Sequence, residues 1–301
     1  MFGIVGILVH AEAPKIVSVS RRTDVPAFYG EWFINLVREG QVLVSHPFNY
    51  QPIQVSLQSG DVAGFVFWSK NFRPFLKYLD EIDARGYRSF FFFTITGLPR
   101  VFEPNVISVE DAVTTFRDLS RRYSAKHVQW RYDPILLTNS TPPEYHIKTF
   151  RRLCRQLEGY TTRCYFSFVC VYPKVQRRME RLAQYGVEFL KVSELEKVQL
   201  AAYLADIAER HGITMYSCCN DFLVGGKIKK AHCVDIDLLA DLFGIDRNLY
   251  RLRPTRKQCG CYESVDIGTY NTCRYGCVYC YAGANARRSL GSLVVKSILL
   301  V

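Results

Sequence analysis

Two periods of apolar and polar residues alternate along the chain from Pro14 onward. Short β-branched or continuous apolar runs at 16–20 (IVSVS), 62–68 (VAGFVFW), 89–96 (SFFFFTIT), 128–137, 164–170 and 214–218 predict six strands. Between them apolar residues recur at helical spacing. Phe28, Trp32, Phe33, Leu36 and Val37 mark a helix over 28–38. A helix over 72–85 stops at Gly86, and another starts at Ser108, whose hydroxyl suits a cap, with Glu110 and Asp111 in its first turn. Further helices are predicted over 142–157, with proline near the start, over 174–185 and over 193–211. The last would bury Leu195, Val198, Leu204 and Ile207. A weaker alternation at 41–45 and 54–58 reads as a hairpin inserted between the first two strands.

Strand–helix alternation with continuous apolar strands predicts a parallel sheet covered by helices. Six units within 14–217 suit a partial (β/α)6 TIM-like barrel better than a doubly wound sheet, since no G-x-G-x-x-G follows a strand. The chemistry of such barrels sits at the carboxyl ends of strands. Those ends carry Arg21, Arg22 and Asp24, then Lys70 and Asn71, then Arg131 and Asp133. Each alone suits a helix cap or a surface ion pair equally well. Their recurrence at one end predicts a lumen that binds a polar or anionic substrate or cofactor.

Composition changes the picture at one point. Apolar residues make up 49% of the chain and charged ones 22%, so a large core is expected rather than disorder. No apolar run approaches the ~20 residues of a membrane helix, so no membrane partner is expected. Of eleven cysteines, three fall in 1–217 and eight in 218–301. Clustered cysteines after a conventional body favour metal binding in a reducing, cytoplasmic setting over a secreted disulfide scaffold. The apolar start, 1–13, lacks the positive charge of a secretory signal and reads as an extension, as does 286–301. The region 218–285 is the chemically special end.

Within it, Cys273, Cys277 and Cys280 follow a C-x3-C-x2-C spacing around Gly276. Three thiolates in eight residues can hold a four-iron cubane with one iron left open. Zinc is the rival, with Cys259 and Cys261 as a second knuckle, although C-x-C is unusual for closed zinc sites. Cys218, Cys219, Cys233, Cys259 and Cys261 form a second group able to supply four thiolates for a second cluster, or to serve as ordinary buried residues. Cys154, Cys164 and Cys170 lie on core patterns.

The segment CRYGCVYCYA resembles the radical SAM signature. That resemblance implies a 4Fe–4S cluster on Cys273, Cys277 and Cys280, with S-adenosylmethionine chelating the open iron and cleaved by one electron to a 5′-deoxyadenosyl radical. It also implies a partial (β/α)6 barrel and an electron donor such as flavodoxin or ferredoxin. From about Ile16 to Ala282 the chain resembles an uncharacterised bacterial family, domain of unknown function 1848, in VSVSRRTDVPAFY, FWSKN, WRYDPILL and CGCYESVDIGTYNTCRYGCVYCYA. Two features depart from the radical SAM pattern. The triplet is C-terminal instead of following the first strand, and no Gly-Gly-Glu-like segment follows the second. The cluster would therefore fold over the barrel mouth from the C-terminal side, a layout comparable to thiamin pyrimidine synthase.

The net charge of +11 leaves a nucleic-acid partner open, through Lys148, Arg151, Arg152 and Arg155 and then Arg177, Arg178 and Arg181. No helix-turn-helix, finger or stacking platform accompanies them. The reading reached is an iron–sulfur, radical SAM-like enzyme. Its rivals are a metal-stapled binding protein and a phosphate-ester enzyme with structural cysteines.

Overall fold

The computed structural model describes residues 13–45 and 51–283. The extensions read at 1–13 and 286–301 lie outside them, apart from Ala13. Ten strands follow in chain order: β1 (Lys15–Val19), β2 (Gln41–Ser45), β3 (Pro52–Ser56), β4 (Val62–Ser69), β5 (Ser89–Thr94), β6 (Val128–Ile135), β7 (Arg163–Phe168), β8 (Thr214–Ser217), β9 (Ile228–Lys230) and β10 (Val265–Asp266). The helices are α1 (Val25–Phe28), α2 (Gly30–Glu39), α3 (Leu79–Ala84), α4 (Val109–Arg122), α5 (Pro143–Leu157), α6 (Pro173–Ala183), α7 (Glu194–Glu209) and α8 (Ile236–Phe243).

Eight strands form one sheet in the order β10-β1-β4-β5-β6-β7-β8-β9, and all of its neighbours run parallel. The expected hairpin is the separate antiparallel pair β2–β3. The expected α/β class with a parallel sheet stands. The sheet is open, with β9 and β10 at its two edges, so it does not close as a TIM barrel does.

Alternation along the strands sends side chains to two different cores. One face carries Phe65, Phe67, Phe91, Phe93, Trp130, Tyr132 and Phe166, packed against residues of α2, α4, α5 and α7. The opposite face carries Ile16, Val66, Trp68, Phe90, Phe92 and Tyr165. It is covered by Ile236, Leu238, Leu239 and Phe243 of α8 together with Cys218, Cys233 and Cys261. The cysteine-rich region is thus part of the second core. Among the described residues no helix is long and apolar enough to cross a membrane.

Local chemistry explains the element ends. The Ser108 hydroxyl accepts from Asp111 N at 3.1 Å and starts α4 as expected. Ser193 and Glu196 form a reciprocal capping box on α7. The helix expected over 28–38 is two, because Asp24 starts an earlier turn by accepting from Ala27 N at 3.0 Å. The one expected over 72–85 is a 3₁₀ turn (Arg73–Tyr78) followed by α3. The buried face of α7 is Leu200, Ala201, Leu204, Ala205, Ile207 and Ala208, whereas Leu195 and Val198 are exposed. Apolar residues surround this helix, and the wrong arc was read as the stripe. Cys170 is exposed, contrary to its core pattern, while Cys154 and Cys164 are buried.

Candidate metal centre

A buried carboxylate fastens the C-terminal region to the first strand. Strand β10 pairs with β1, bringing Asp266 opposite Ser18. Asp266 Oδ2 accepts from the Ser18 hydroxyl at 2.8 Å and from Arg21 N at 2.8 Å. Its Oδ1 accepts from the Ser20 hydroxyl at 2.6 Å and from Gly268 N at 3.0 Å. Each oxygen thus has one hydroxyl and one backbone donor. The guanidinium groups of Arg21 and Arg22 stand 3.7 Å away and balance the charge. Sequence reading missed Asp266. Its signal was an acid between Val265 and Ile267, an apolar frame set between the two cysteine groups.

Beyond this clasp the chain crosses the carboxyl ends of β1, β4 and β5. Thr272 O accepts from the Tyr29 hydroxyl at 2.6 Å, and the Tyr275 ring packs on Phe28 at 4.6 Å. Asn105 Nδ2 donates to the carbonyls of Arg274 and Tyr275 at 3.2 Å. Val278 N donates to Phe102 O at 3.0 Å. On the other side Arg178 of α6 donates to Cys280 O at 2.7 Å and Gly283 O at 2.9 Å. Lys174 Nζ reaches Gly283 O at 3.0 Å. Arg178 therefore holds this loop and is not a freely solvated basic residue.

The loop carries Cys273, Cys277 and Cys280, none of them in a disulfide. Gly276 has φ +71°, which only glycine adopts readily. Cys277 lies beside Lys70 and Glu103, and Cys273 beside Asp24. Burial pushes the Cys273 thiol up to about 12. Burial also raises Cys277, opposed by the Lys70 ammonium. Both thiols are thus neutral on their own and would ionise by giving their protons up to a bound cation.

Glu103, also missed, organises this corner. Its Oε1 accepts from Lys70 Nζ at 2.9 Å, from Thr96 Oγ1 at 2.7 Å and from the Tyr279 hydroxyl. Burial disfavours the Lys70 charge, but Glu103 and the neighbouring Cys277 outweigh it and raise its pKa. A cavity of about 190 Å³ opens here, with Lys70, Thr94, Thr96, Arg100 and Glu103 among its polar lining. It lies below the ~300 Å³ at which drug-sized ligand pockets begin.

The remaining expected residues divide by whether their polar atoms are engaged. Asp24 accepts from Ala27 N, from the Ser69 hydroxyl at 2.7 Å and from Lys70 N at 2.8 Å. Burial raises its carboxyl to about 6 against those donors. Asn71 accepts from Arg73 N at 3.0 Å and opens the 3₁₀ turn. Both are occupied with local structure. Arg131 stands in the row Thr94–Arg131–Tyr165–Tyr216 across the inner face. Its guanidinium lies 5.3 Å from the Trp68 ring and 5.5 Å from Phe92, and pairs with Asp133. Arg21 is 5.9 Å from the same Trp68 ring. These cations and the terminal loop border one mouth.

The second cysteine group lies on the covered inner face. Cys218 and Cys233 sulfurs are 3.6 Å apart, and Cys218 and Cys219 sulfurs 4.0 Å. Cys259 lies within hydrogen-bonding reach of Cys219 and Cys261, and Cys261 within reach of Cys233. Among the described residues no group of three or more His, Cys, Asp or Glu side chains is arranged to hold a single metal ion. His232 Nδ1 pairs with Gly260 O and His211 Nδ1 with Glu158 at 3.0 Å.

No curated protein and no solved structure matches the chain. One family model does, over residues 16–282, nearly the whole described molecule. The chain belongs to the DUF1848 family, whose description is a domain of unknown function.

Proposed function

We propose that this protein is an iron–sulfur enzyme that cleaves S-adenosylmethionine reductively at a cluster held by Cys273, Cys277 and Cys280. The observation that carries this reading is the anchoring of a three-cysteine loop across the carboxyl ends of β1, β4 and β5, beside buried cations. The donor set fits such a cluster. Three unbridged thiols supply three ligands, one short of a closed site, and Gly276 gives the loop its turn. A single zinc ion fits less well, because no three donors converge on one point among the described residues. When bound, the cluster would deliver one electron to the sulfonium and return the cleaved fragments for radical chemistry on a substrate.

The chain's own residues would do the rest. Arg21, Arg22 and Arg131 supply positive charge for the carboxylate of the methionine moiety or for an anionic substrate. Lys70, held by Glu103, sets a fixed charge at the entrance of the small cavity, which suits a compact polar group. Asp133, held by Arg131 and by the Ser167 hydroxyl, is the acceptor facing that mouth. The sequential order from β4 to β9, with helices packed on one face, is the winding of a barrel arc, and a partial (β/α)6 barrel is the architecture we read in it. A net charge of +11 favours a small acidic electron donor of the flavodoxin or ferredoxin kind.

Anaerobically reconstituted protein, reduced with dithionite and given S-adenosylmethionine, should release 5′-deoxyadenosine and methionine. The Cys277→Ser variant should release neither. An iron-loaded, reducible sample that releases neither product refutes the radical reading. Stoichiometric zinc with no iron favours a metal-stapled binding protein.

A further inference from the structure

We propose that Cys218, Cys219, Cys233, Cys259 and Cys261 form a second, closed iron–sulfur centre, in which four of the five thiolates ligate the cluster and Arg131 and Arg256 neutralise it. This proposal does not rest on the terminal triplet. Five thiols from three separate segments meet here: the end of β8, the segment after β9, and the loop at 259–261. Their contacts run from Cys218 to Cys219, Cys259, Cys261, Cys233 and back to Cys218.

The pattern of contacts identifies the class of ligand. Sulfurs that touch in a ring surround a space instead of converging on a point, which agrees with the lack of a single-ion site among the described residues. A mononuclear tetrahedral ion needs all four donors at one centre. A polynuclear core is bonded at separate corners, so a ring suits it.

Two further observations point to a ligand. Arg256 donates Nε to Cys219 Sγ at 3.0 Å and Nη2 to Cys218 Sγ at 3.7 Å, while Arg131 Nη1 lies 3.3 Å from Cys233 Sγ. A neutral thiol is a weak acceptor that does not call for two guanidinium groups, whereas a four-thiolate cluster carries net negative charge. The backbone is also strained at these positions. The described residues contain three non-glycine residues with positive φ: Cys219 at 57°, Gln258 at 61° and Asn271 at 65°. Two belong to this ring and the third lies two residues before Cys273. Such conformations persist where surroundings over-determine them, and they concentrate at functional sites. Gly260 adds a close approach, since a Cβ there would sit 3.0 Å from the His232 ring and 3.1 Å from Ala231 O. That contact presses the Cys-Gly-Cys turn onto the segment carrying Cys233.

On assembly four thiols would release their protons to solvent as iron and sulfide bind, with no change in the oxidation state of sulfur. With every iron capped by thiolate, this centre would bind no substrate and differ in kind from the open one.

The test uses the full chain with Cys273→Ser, Cys277→Ser and Cys280→Ser combined, reconstituted anaerobically with iron and sulfide. About four iron and four sulfide per chain should remain, with visible charge-transfer absorption. Adding Cys233→Ser and Cys261→Ser should abolish both. Wild-type protein guards against misfolding of the variants. Mass-spectrometric alkylation of the iron-loaded form should leave four of the five thiols protected, and all five should react once iron is removed. Loss of all metal from the first variant with full reactivity of these thiols in iron-loaded wild type overturns the proposal. Retention of one zinc per chain in place of iron and sulfide overturns it as well.

Discussion

Replacing Asp266 by asparagine separates the clasp of β10 from everything else in the fold. Each carboxylate oxygen accepts from one hydroxyl and one backbone N–H, at 2.6 to 3.0 Å. Serine hydroxyls can rotate and accept from a new amide. Backbone N–H groups cannot, so whichever oxygen becomes NH2 meets a fixed donor, either Arg21 N or Gly268 N. One buried donor is left unpaired and two guanidinium groups lose their counter-charge. Together these cost about 2–4 kcal/mol, given ~1–3 for an unpaired buried group and more where charge is involved. The cost falls on the attachment of residues 265–283, while the strand core is untouched. Hydrogen exchange at the amides of Val265, Ile267 and Gly268 should therefore accelerate about 30- to 900-fold, at 1.36 kcal/mol per tenfold. Iron bound by the terminal triplet should fall in parallel. Exchange within threefold of wild type at those amides would refute the argument that this carboxylate fastens the loop.

Other perturbations test separate parts of the account. His146 is buried, with Nδ1 2.8 Å from the Tyr132 hydroxyl and Nε2 3.0 Å from Leu136 O, and burial lowers its pKa to about 4 from 6.5. A lowered value means that the unfolded chain takes up the proton first, so this contribution is complete above pH 6.5 and is lost towards pH 4. It amounts to about 3 kcal/mol, and urea unfolding across that window should show a flatter pH dependence in His146→Gln. Gly64→Ala would place a Cβ 2.4 Å from the Phe243 ring, so α8 must shift and thermal unfolding should report a loss of about 1–3 kcal/mol. Arg178→Ala removes donors to the carbonyls of Cys280 and Gly283 and should lower iron retention at the triplet severalfold, while the circular dichroism stays unchanged.

The sequence exposed the parts of this molecule that repeat. Six apolar strands with helices between them are visible because a parallel strand buried on both faces must be continuously apolar, as 89–94 is. The cysteine spacing was equally plain. What stayed hidden depends on contacts between distant segments. Strands β9 and β10 have three and two residues, too short to carry a period. Asp266 and Glu103 looked like ordinary loop acids because their partners lie far away in sequence, Ser18 248 residues from Asp266 and Tyr279 176 from Glu103. Arg178 looked like one of several surface cations, and only the fold sets it against the terminal loop. Asp24 and Asn71 were legible as polar strand-end residues, but their acceptors serve nearby backbone N–H groups, a use that residue type alone does not reveal.

The central claim is that Cys273, Cys277 and Cys280 hold a cluster with one iron open to S-adenosylmethionine. Electron paramagnetic resonance of the dithionite-reduced, iron-loaded protein tests it most directly, recorded with and without S-adenosylmethionine. A reduced-cluster signal that changes shape on addition, and a Cys277→Ser sample in which that change is absent, are the results expected. A signal indifferent to S-adenosylmethionine, or one unaltered by loss of all three cysteines, would contradict the account.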